Sequence, residues 1–103
     1  MKILVLGVDG MIGHKIAQTL SQDFKVIGTT RKKIKPEDLG IKKCELIHHD
    51  FLTDNTFNLL NKKIPDVIIN CAGVTIRRGI NENKSNTESL NTNLPHILND
   101  WAL

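Results

Sequence analysis

Short apolar runs recur along this chain and are separated by polar segments. The first, residues 3–6, reads Ile-Leu-Val-Leu, and its uninterrupted apolar character is typical of a strand buried on both faces of a parallel sheet. Similar runs at residues 24–29, 44–48 and 67–71 predict three further strands. The hydrophobic pattern therefore predicts a sheet of short strands.

The segments between these runs carry helical signals. Met11, Ile12, Ile16, Ala17 and Leu20 fall on one helical face, which predicts a first helix from residue 11 to about 21. A single helical turn is predicted at 36–39. A further helix is predicted from a cap at Thr53 or Asp54 to about Lys62, with apolar contacts from Phe57, Leu59 and Leu60. The last predicted helix runs from Lys84 to the chain end, and Pro95 marks either a kink in it or a late start.

This order of elements predicts an α/β fold: a Rossmann-type doubly wound parallel sheet with strand order 3-2-1-4 and helices on both faces. The length fits one domain, and residues 1–103 are assigned to a single Rossmann-type domain. Four strands form an incomplete sheet of this type, with strand four as an unpaired apolar edge. We therefore expect the domain to be the N-terminal part of a longer protein, and the chain to self-associate into a homo-oligomer through that edge.

Three glycines, Gly7, Gly10 and Gly13, follow the first strand at three-residue spacing. A strand, a glycine turn and a helix N-terminus in this order form an anion site, because the free N–H groups and the positive end of the helix dipole point at a bound phosphate. Gly7 permits the tight turn, Gly10 lets a pyrophosphate approach, and Gly13 lets the helix pack close to the strand. The order of elements favours dinucleotide binding over a plain structural turn.

Composition argues against several other classes of protein. The net charge is a mild +3, and four basic residues within 31–35 are interpreted as a solvated loop, because three Phe and one Trp are too few for a nucleic-acid surface. The glycines are not followed by the Lys-Ser or Lys-Thr of a P-loop, and four His and two Cys show no metal-ligand spacing. Apolar runs this short predict no membrane segment, and the two Cys fit a reduced, cytoplasmic protein.

Four features in order give the chain a resemblance to a known family. They are the glycine triplet, Asp50-Phe51 after the third strand, Asn70-Cys71-Ala72-Gly73 at the end of the fourth, and Leu90-Asn91 with Pro95 in the last helix. With these features essentially the whole chain resembles the N-terminal part of an extended short-chain dehydrogenase/reductase. The resemblance extends to the sugar-nucleotide branch that includes dTDP-4-dehydrorhamnose reductase.

The resemblance implies roles for particular residues. Asp50 would accept a hydrogen bond from the adenine amine beside Phe51, although Asp50 could instead simply end a strand. Ala72 and Gly73 would lie against the ribose and nicotinamide, and Asn91 would either brace strand four or be an exposed helix position. The predicted cofactor-binding residues are Gly7, Gly10, Met11, Ile12, Gly13, Thr30, Arg31, Asp50, Phe51, Cys71, Ala72, Gly73 and Asn91.

The resemblance also implies an activity that this chain does not complete. The complete enzyme would be an NAD(P)-dependent reductase of a nucleotide-linked keto-sugar, with an epimerase or dehydratase as the nearby variant. The family donates a proton from a Tyr that has a Lys four residues on, but this chain contains no Tyr. We therefore assign no catalytic residue in this fragment, expect the Tyr–Lys pair beyond Leu103, and expect no reductase activity from the chain alone.

Two further alternatives concern the ligands. Arg77 and Arg78 either meet the diphosphate of a sugar nucleotide or are solvated loop charges. A non-catalytic dinucleotide sensor is the alternative from another functional class, because fold does not fix function.

NADP is the predicted cofactor, with NAD as the alternative. NAD-binding proteins usually place an acid at the end of the second strand to hold the ribose 2′-hydroxyl. Here residues 29–32 read Thr-Thr-Arg-Lys, and the next acid along the chain is Glu37. Arg31 would attract the 2′-phosphate of NADP.

Overall fold

A computed structural model describes residues 1–41, 43–72 and 93–103. The strands are β1 (Lys2–Leu6), β2 (Lys25–Thr30), β3 (Cys44–His48) and β4 (Val67–Asn70). The helices are α1 (Met11–Leu20), α2 (Pro36–Leu39), α3 (Thr56–Lys63) and α4 (Leu94–Ala102). These bounds agree closely with the predicted ones except in the last helix. There Pro95 lies in the first turn of α4, and residues 84–92 fall outside the described part of the chain.

The described strands form one parallel sheet of order β3-β2-β1-β4. On one side β1 pairs with β2, from Lys2 opposite Lys25 to Leu6 opposite Thr29. On its other side β1 pairs with β4, and Leu6 lies opposite Asn70. The sheet and its flanking helices confirm the predicted Rossmann-type α/β fold. Among residues 1–41, 43–72 and 93–103, the helices are too short or too polar to cross a membrane.

Strand β1 is buried on both faces, as its apolar run predicts. Ile3 and Val5 belong to a core cluster with Val26, and Leu4 and Leu6, which alternate with them, are also fully buried. Alternating residues of a strand point to opposite faces of a sheet. The central strand therefore holds no position that faces water beyond its first residue.

Helix α1 buries a narrower face than its sequence predicts. Its buried residues are Gly13 and Ala17, with Ile16 and Leu20 packed against the core. Met11 and Ile12, which were expected on this apolar face, are instead 90% and 70% exposed. Both residues belong to the first turn, directly after the glycine turn. Their placement makes them part of the surface at the helix N-terminus rather than part of the core.

The chain divides into two compact units. The first comprises Met1–Asp50 and Pro65–Ala72 and holds the sheet, α1 and α2. The second comprises Phe51–Ile64 and Gly73–Leu103, and its described part holds α3 and α4. Within the second unit α3 contacts α4, and the indole Nε1 of Trp101 donates to Oδ1 of Asn61 at 2.9 Å.

Helix α3 is capped by a residue other than the two predicted ones. The side-chain oxygen of Asn55 accepts a hydrogen bond from the backbone N–H of Asn58 at 3.0 Å, so the prediction of Thr53 or Asp54 as the cap is wrong. Thr53, Asp54 and Asn55 all have side chains that favour an N-cap, and of the three Asn55 directly precedes the first helical residue, Thr56. Phe57, expected as an apolar contact, is exposed.

Candidate functional site

The carboxyl ends of the parallel strands meet at one edge of the sheet. In open α/β sheets this edge is where ligands bind, outside the strand ends. The glycine turn follows β1, Arg31 follows β2 and Cys71 follows β4. The predicted site residues that the first unit places at this edge are Gly7, Gly10, Met11, Ile12, Gly13, Thr30, Arg31, Asp50, Cys71 and Ala72.

Gly7 and Gly13 are required by the packing of the glycine turn itself. Gly7 has φ of +83°, a conformation that side chains disfavour. A Cβ added at Gly13 would lie 2.1 Å from the carbonyl oxygen of Gly7 and 3.2 Å from Cβ of Cys71. The close approach predicted for Gly13 is therefore observed, with the Gly7 carbonyl as its main neighbour.

Gly10 differs from the other two glycines. Its φ and ψ of −86° and 163° are open to any residue, and the nearest heavy atom to an added Cβ is the Gly7 oxygen at an ordinary 3.5 Å. The protein's own packing therefore leaves space at Gly10. A pyrophosphate is a group that approaches the backbone closely, and the space at Gly10 is compatible with such a group.

The N-terminus of α1 faces the same space. Gly10 is the N-cap and has no side chain to accept a hydrogen bond from the first turn. The first N–H groups of a helix lack partners within the helix, and together with the helix dipole they attract an anion. Met11 and Ile12 supply these groups from an exposed turn. The turn, the space at Gly10 and the uncapped helix therefore fit a phosphate group.

Strand β2 holds the glycine turn in place. The backbone N–H of Gly7 donates to the hydroxyl oxygen of Thr29 at 3.0 Å, and the N–H of Val8 donates to the Thr29 carbonyl at 2.9 Å. Thr29 and Val8 are both fully buried. The sequence did not single out either residue, because their roles depend on the pairing of β1 with β2.

An acid also lies at the end of β2, although it comes from another part of the chain. The backbone N–H of Arg31 donates to Oδ2 of Asp9 at 3.1 Å. The NADP prediction assumed that this position has no acid, and in three dimensions that assumption does not hold. Asp9 was missed because it lies within the glycine turn rather than along β2.

The end of β3 lies beside Thr30 and Arg31 at the end of β2. The ring Nε2 of His48 forms a hydrogen bond with the Arg31 carbonyl at 3.0 Å, and the His49 N–H donates to the Thr30 carbonyl at 3.0 Å. Asp50 follows and is half-buried, so the predicted adenine contact remains a prediction. Phe51 begins the second unit, and its predicted role is likewise untested.

Several predicted residues fall outside the part of the chain that the structure describes. They are Gly73, Arg77, Arg78 and Asn91. Ala72, the last described residue of its segment, donates its N–H to Oδ1 of Asn70 at 3.0 Å. A Cβ at Gly7 would lie 3.1 Å from Cα of Ala72, so the backbone after β4 packs directly on the glycine turn.

The two thiols are not activated nucleophiles. Burial raises the pKa of Cys44 to about 11, and burial also raises the pKa of Cys71. Both thiols are protonated at neutral pH, and a protonated thiol is a poor nucleophile. Within the described ranges, His, Cys, Asp and Glu side chains form no group of three that could hold a metal ion.

The family of this chain follows from a comparison with known families. The model of the NAD dependent epimerase/dehydratase family matches residues 3–103. The chain belongs to this family. The match includes the glycine turn and the strand ends described above. No curated protein sequence matches the chain significantly.

Solved structures share the fold of this family member. L-threonine dehydrogenase from Clostridium difficile is 25% identical, with a TM-score of 0.69, over 89% of this chain and 30% of its own. UDP-glucuronic acid 4-epimerase from Bacillus cereus, solved in complex with NAD, is 27% identical, with a TM-score of 0.56, over 73% of this chain and 27% of its own.

The enzyme WbmH from Bordetella bronchiseptica, solved in complex with NAD+, is 21% identical, with a TM-score of 0.62, over 84% of this chain and 30% of its own. At this identity the likeness shows the fold alone. The chain thus spans less than a third of the length of each of these solved relatives.

Proposed function

We propose that the glycine turn binds the pyrophosphate of a nicotinamide dinucleotide, and that this chain is the cofactor-binding part of an NAD(P)-dependent oxidoreductase. One observation carries the proposal: Gly7 and Gly13 are explained by the turn's own packing, whereas Gly10 faces open space beside an uncapped helix N-terminus. Membership of an NAD-dependent family supports the same assignment.

The chain's residues would hold and orient the cofactor. Backbone N–H groups at Met11 and Ile12 would bind the pyrophosphate, and the strand ends at Arg31 and Ala72 would flank its two halves. When bound, the nicotinamide supplies hydride transfer. Thr29 fixes the turn before any ligand arrives, which lowers the cost of ordering it on binding.

The whole protein's substrate is proposed from the resemblance and from named relatives. We favour a nucleotide-linked keto-sugar, with reduction of the dTDP-4-dehydrorhamnose reductase type, and epimerase or dehydratase chemistry as the variant. One relative is named a UDP-glucuronic acid 4-epimerase and another an L-threonine dehydrogenase, so this cofactor-binding part is compatible with more than one substrate. The 103-residue chain, which has no Tyr, is expected to be inactive alone.

Equilibrium titration of the folded chain tests the cofactor proposal. Quenching or enhancement of nucleotide fluorescence would follow NADH and NADPH, and calorimetry would follow NAD+ and NADP+. Saturable binding that Gly10→Val abolishes while the fold survives is the expected result. A folded chain that binds none of the four nucleotides would overturn the proposal.

The same titration also tests the NADP preference that residues 29–32 predict by themselves. Tighter binding of NADP than of NAD, reversed in Arg31→Asp, would agree with it. Tighter binding of NAD by the unmutated chain would contradict it.

The absence of Tyr from these 103 residues keeps the sensor as a second candidate. The codons that follow that of Leu103 distinguish the oxidoreductase from the sensor. A Tyr followed four residues on by Lys supports the oxidoreductase, and a continuation without that pair supports a non-catalytic dinucleotide sensor.

A further inference from the structure

Asp9 occupies an unusual place for an acid in a dinucleotide-binding turn. It lies between Gly7 and Gly10, yet its Oδ2 accepts the backbone N–H of Arg31, the first residue after β2, at 3.1 Å. The carboxyl end of β2 is where NAD-binding proteins usually carry the acid that holds the ribose 2′-hydroxyl. The glycine turn thus brings a carboxylate to a position that β2 itself leaves without an acid.

The residues on both sides of the Asp9–Arg31 hydrogen bond are anchored. Val8 is fully buried, and its N–H donates to the Thr29 carbonyl, while the N–H of Gly10 donates to the Gly7 carbonyl at 3.3 Å. On the other side, His48 Nε2 forms a hydrogen bond with the Arg31 carbonyl. The hydrogen bonds on both sides therefore hold the Asp9 carboxylate at the end of β2.

A carboxylate at this position distinguishes the two dinucleotides. It can accept several hydrogen bonds, of which the Arg31 N–H uses one, so the remaining oxygen lone pairs can accept the proton of a ribose 2′-hydroxyl. A 2′-phosphate has no comparable donor at neutral pH and carries negative charge of its own. Placing it against a carboxylate is electrostatically unfavourable.

The basic residues that follow β2 act in the opposite direction to Asp9, because positive charge favours the 2′-phosphate of NADP. Arg31, Lys32 and Lys33 are exposed, and they attract a phosphate. These cations lie on long side chains that are screened by solvent and salt, whereas the Asp9 carboxylate, although also exposed, is tied to the end of β2 by its hydrogen bond with the Arg31 N–H. We take the repulsion between a 2′-phosphate and a carboxylate held at this strand end to outweigh the attraction of the cations.

We infer that Asp9 is the specificity-determining residue that selects NAD over NADP in this chain, acting from the glycine turn in place of an acid on β2. This inference rests on the proposed binding of a dinucleotide at the same turn. It predicts the opposite cofactor from the one that residues 29–32 predict by themselves.

The test compares affinities for NAD+ and NADP+ in the unmutated chain and in Asp9→Asn. The amide oxygen can still accept the Arg31 N–H, so the turn is retained while the charge is removed. We expect the unmutated chain to bind NAD+ more tightly, and Asp9→Asn to shift the ratio toward NADP+ by about tenfold or more, as for the loss of a charged hydrogen-bond partner. Thermal unfolding of each variant confirms that it folds.

Two further variants sharpen the comparison. Asp9→Glu keeps the charge and should keep a preference for NAD+, and Asp9→Ser provides a second neutral variant should the amide disturb the turn. Asp23→Asn is the matched control: it removes one carboxylate from the turn after α1, and the ratio of affinities should not change.

The outcomes separate the two proposals. If the folded, unmutated chain binds neither NAD+ nor NADP+, the proposed function is rejected and this inference with it. Binding of both nucleotides with a ratio that neither Asp9→Asn nor Asp9→Ser alters would overturn the role of Asp9 and leave the proposed function intact. A tighter affinity of the unmutated chain for NADP+ would also overturn it.

Discussion

The backbone N–H of Gly7 donates to the hydroxyl oxygen of Thr29 at 3.0 Å, which ties the turn after β1 to the end of β2. Thr29 is fully buried, so the hydrogen bond has little competition from water. Thr29→Val keeps the shape of the side chain but removes the acceptor. We expect the free energy of unfolding to fall by about 1–3 kcal/mol, as when a buried donor loses its partner.

Chemical denaturation of Thr29→Val and Thr29→Ser measures this effect. Serine keeps the hydroxyl and should retain most of the hydrogen-bond contribution, at the cost of one methyl group. A stability of Thr29→Val equal to that of the unmutated chain would show that the bond to Gly7 contributes nothing.

An added side chain should destabilise the fold much more at Gly13 than at Gly10. Gly13→Ala places a Cβ 2.1 Å from the Gly7 oxygen, and overpacking of this kind is expected to destabilise the fold by about 3 kcal/mol or more. Gly10→Ala meets its nearest neighbour at 3.5 Å and should cost about 1 kcal/mol or less as a change of N-cap residue.

Dinucleotide affinity should fall sharply in Gly10→Val even though that variant stays folded. Parallel denaturation and titration of the Gly10 and Gly13 variants provide the comparison. Wild-type affinity in Gly10→Val would remove the assignment of the pyrophosphate to this turn.

Asn55 should be the stabilising cap of α3. Its side chain accepts the N–H of Asn58 at 3.0 Å, and Asn55→Ala is expected to lower the free energy of unfolding by about 1 kcal/mol. Asn55→Ser should restore much of the loss. Thr53→Ala is the control, because Thr53 lies before the cap and should change stability little. A larger loss from Thr53→Ala than from Asn55→Ala would reverse this assignment.

Stability should decline in alkaline solution because of Cys44. Burial raises its pKa from 9.0 to about 11 in the folded chain, so the folded state holds the thiol proton more tightly than the unfolded state. Below about pH 9 both states hold the proton, and the thiol adds no pH dependence. Between about pH 9 and 11 the unfolded state loses it first, so the free energy of unfolding falls by about 2 kcal/mol.

Denaturation curves across this alkaline window, for the unmutated chain and for Cys44→Ala, isolate that effect from other groups. The alanine variant should lose stability less steeply with pH. Cys71→Ala, at the half-buried thiol after β4, should keep most of the original slope. An unchanged slope in Cys44→Ala would show that the buried thiol does not cause the decline.

The periodic features of this chain were predictable because they depend on local physics. An apolar run is typical of a buried strand and three spaced glycines of a phosphate-binding turn, so the strand order, α1 and α2 followed from the sequence. The cap of α3 did not, because Thr53, Asp54 and Asn55 all have side chains that favour an N-cap, so the sequence alone does not distinguish them.

The sequence by itself determined the fold class and the glycine turn, whereas only the tertiary structure decided what surrounds that turn. Thr29 and Asp9 act through contacts between segments that are far apart along the chain, the Thr29–Gly7 and Asp9–Arg31 hydrogen bonds, each between residues 22 positions apart. Such contacts form when β1 and β2 pair in register. The Asp9 carboxylate reaches the end of β2 from the turn after β1, so the sequence of β2 does not reveal it. Hydrogen bonds and electrostatic interactions depend on distance in space and not on separation along the chain.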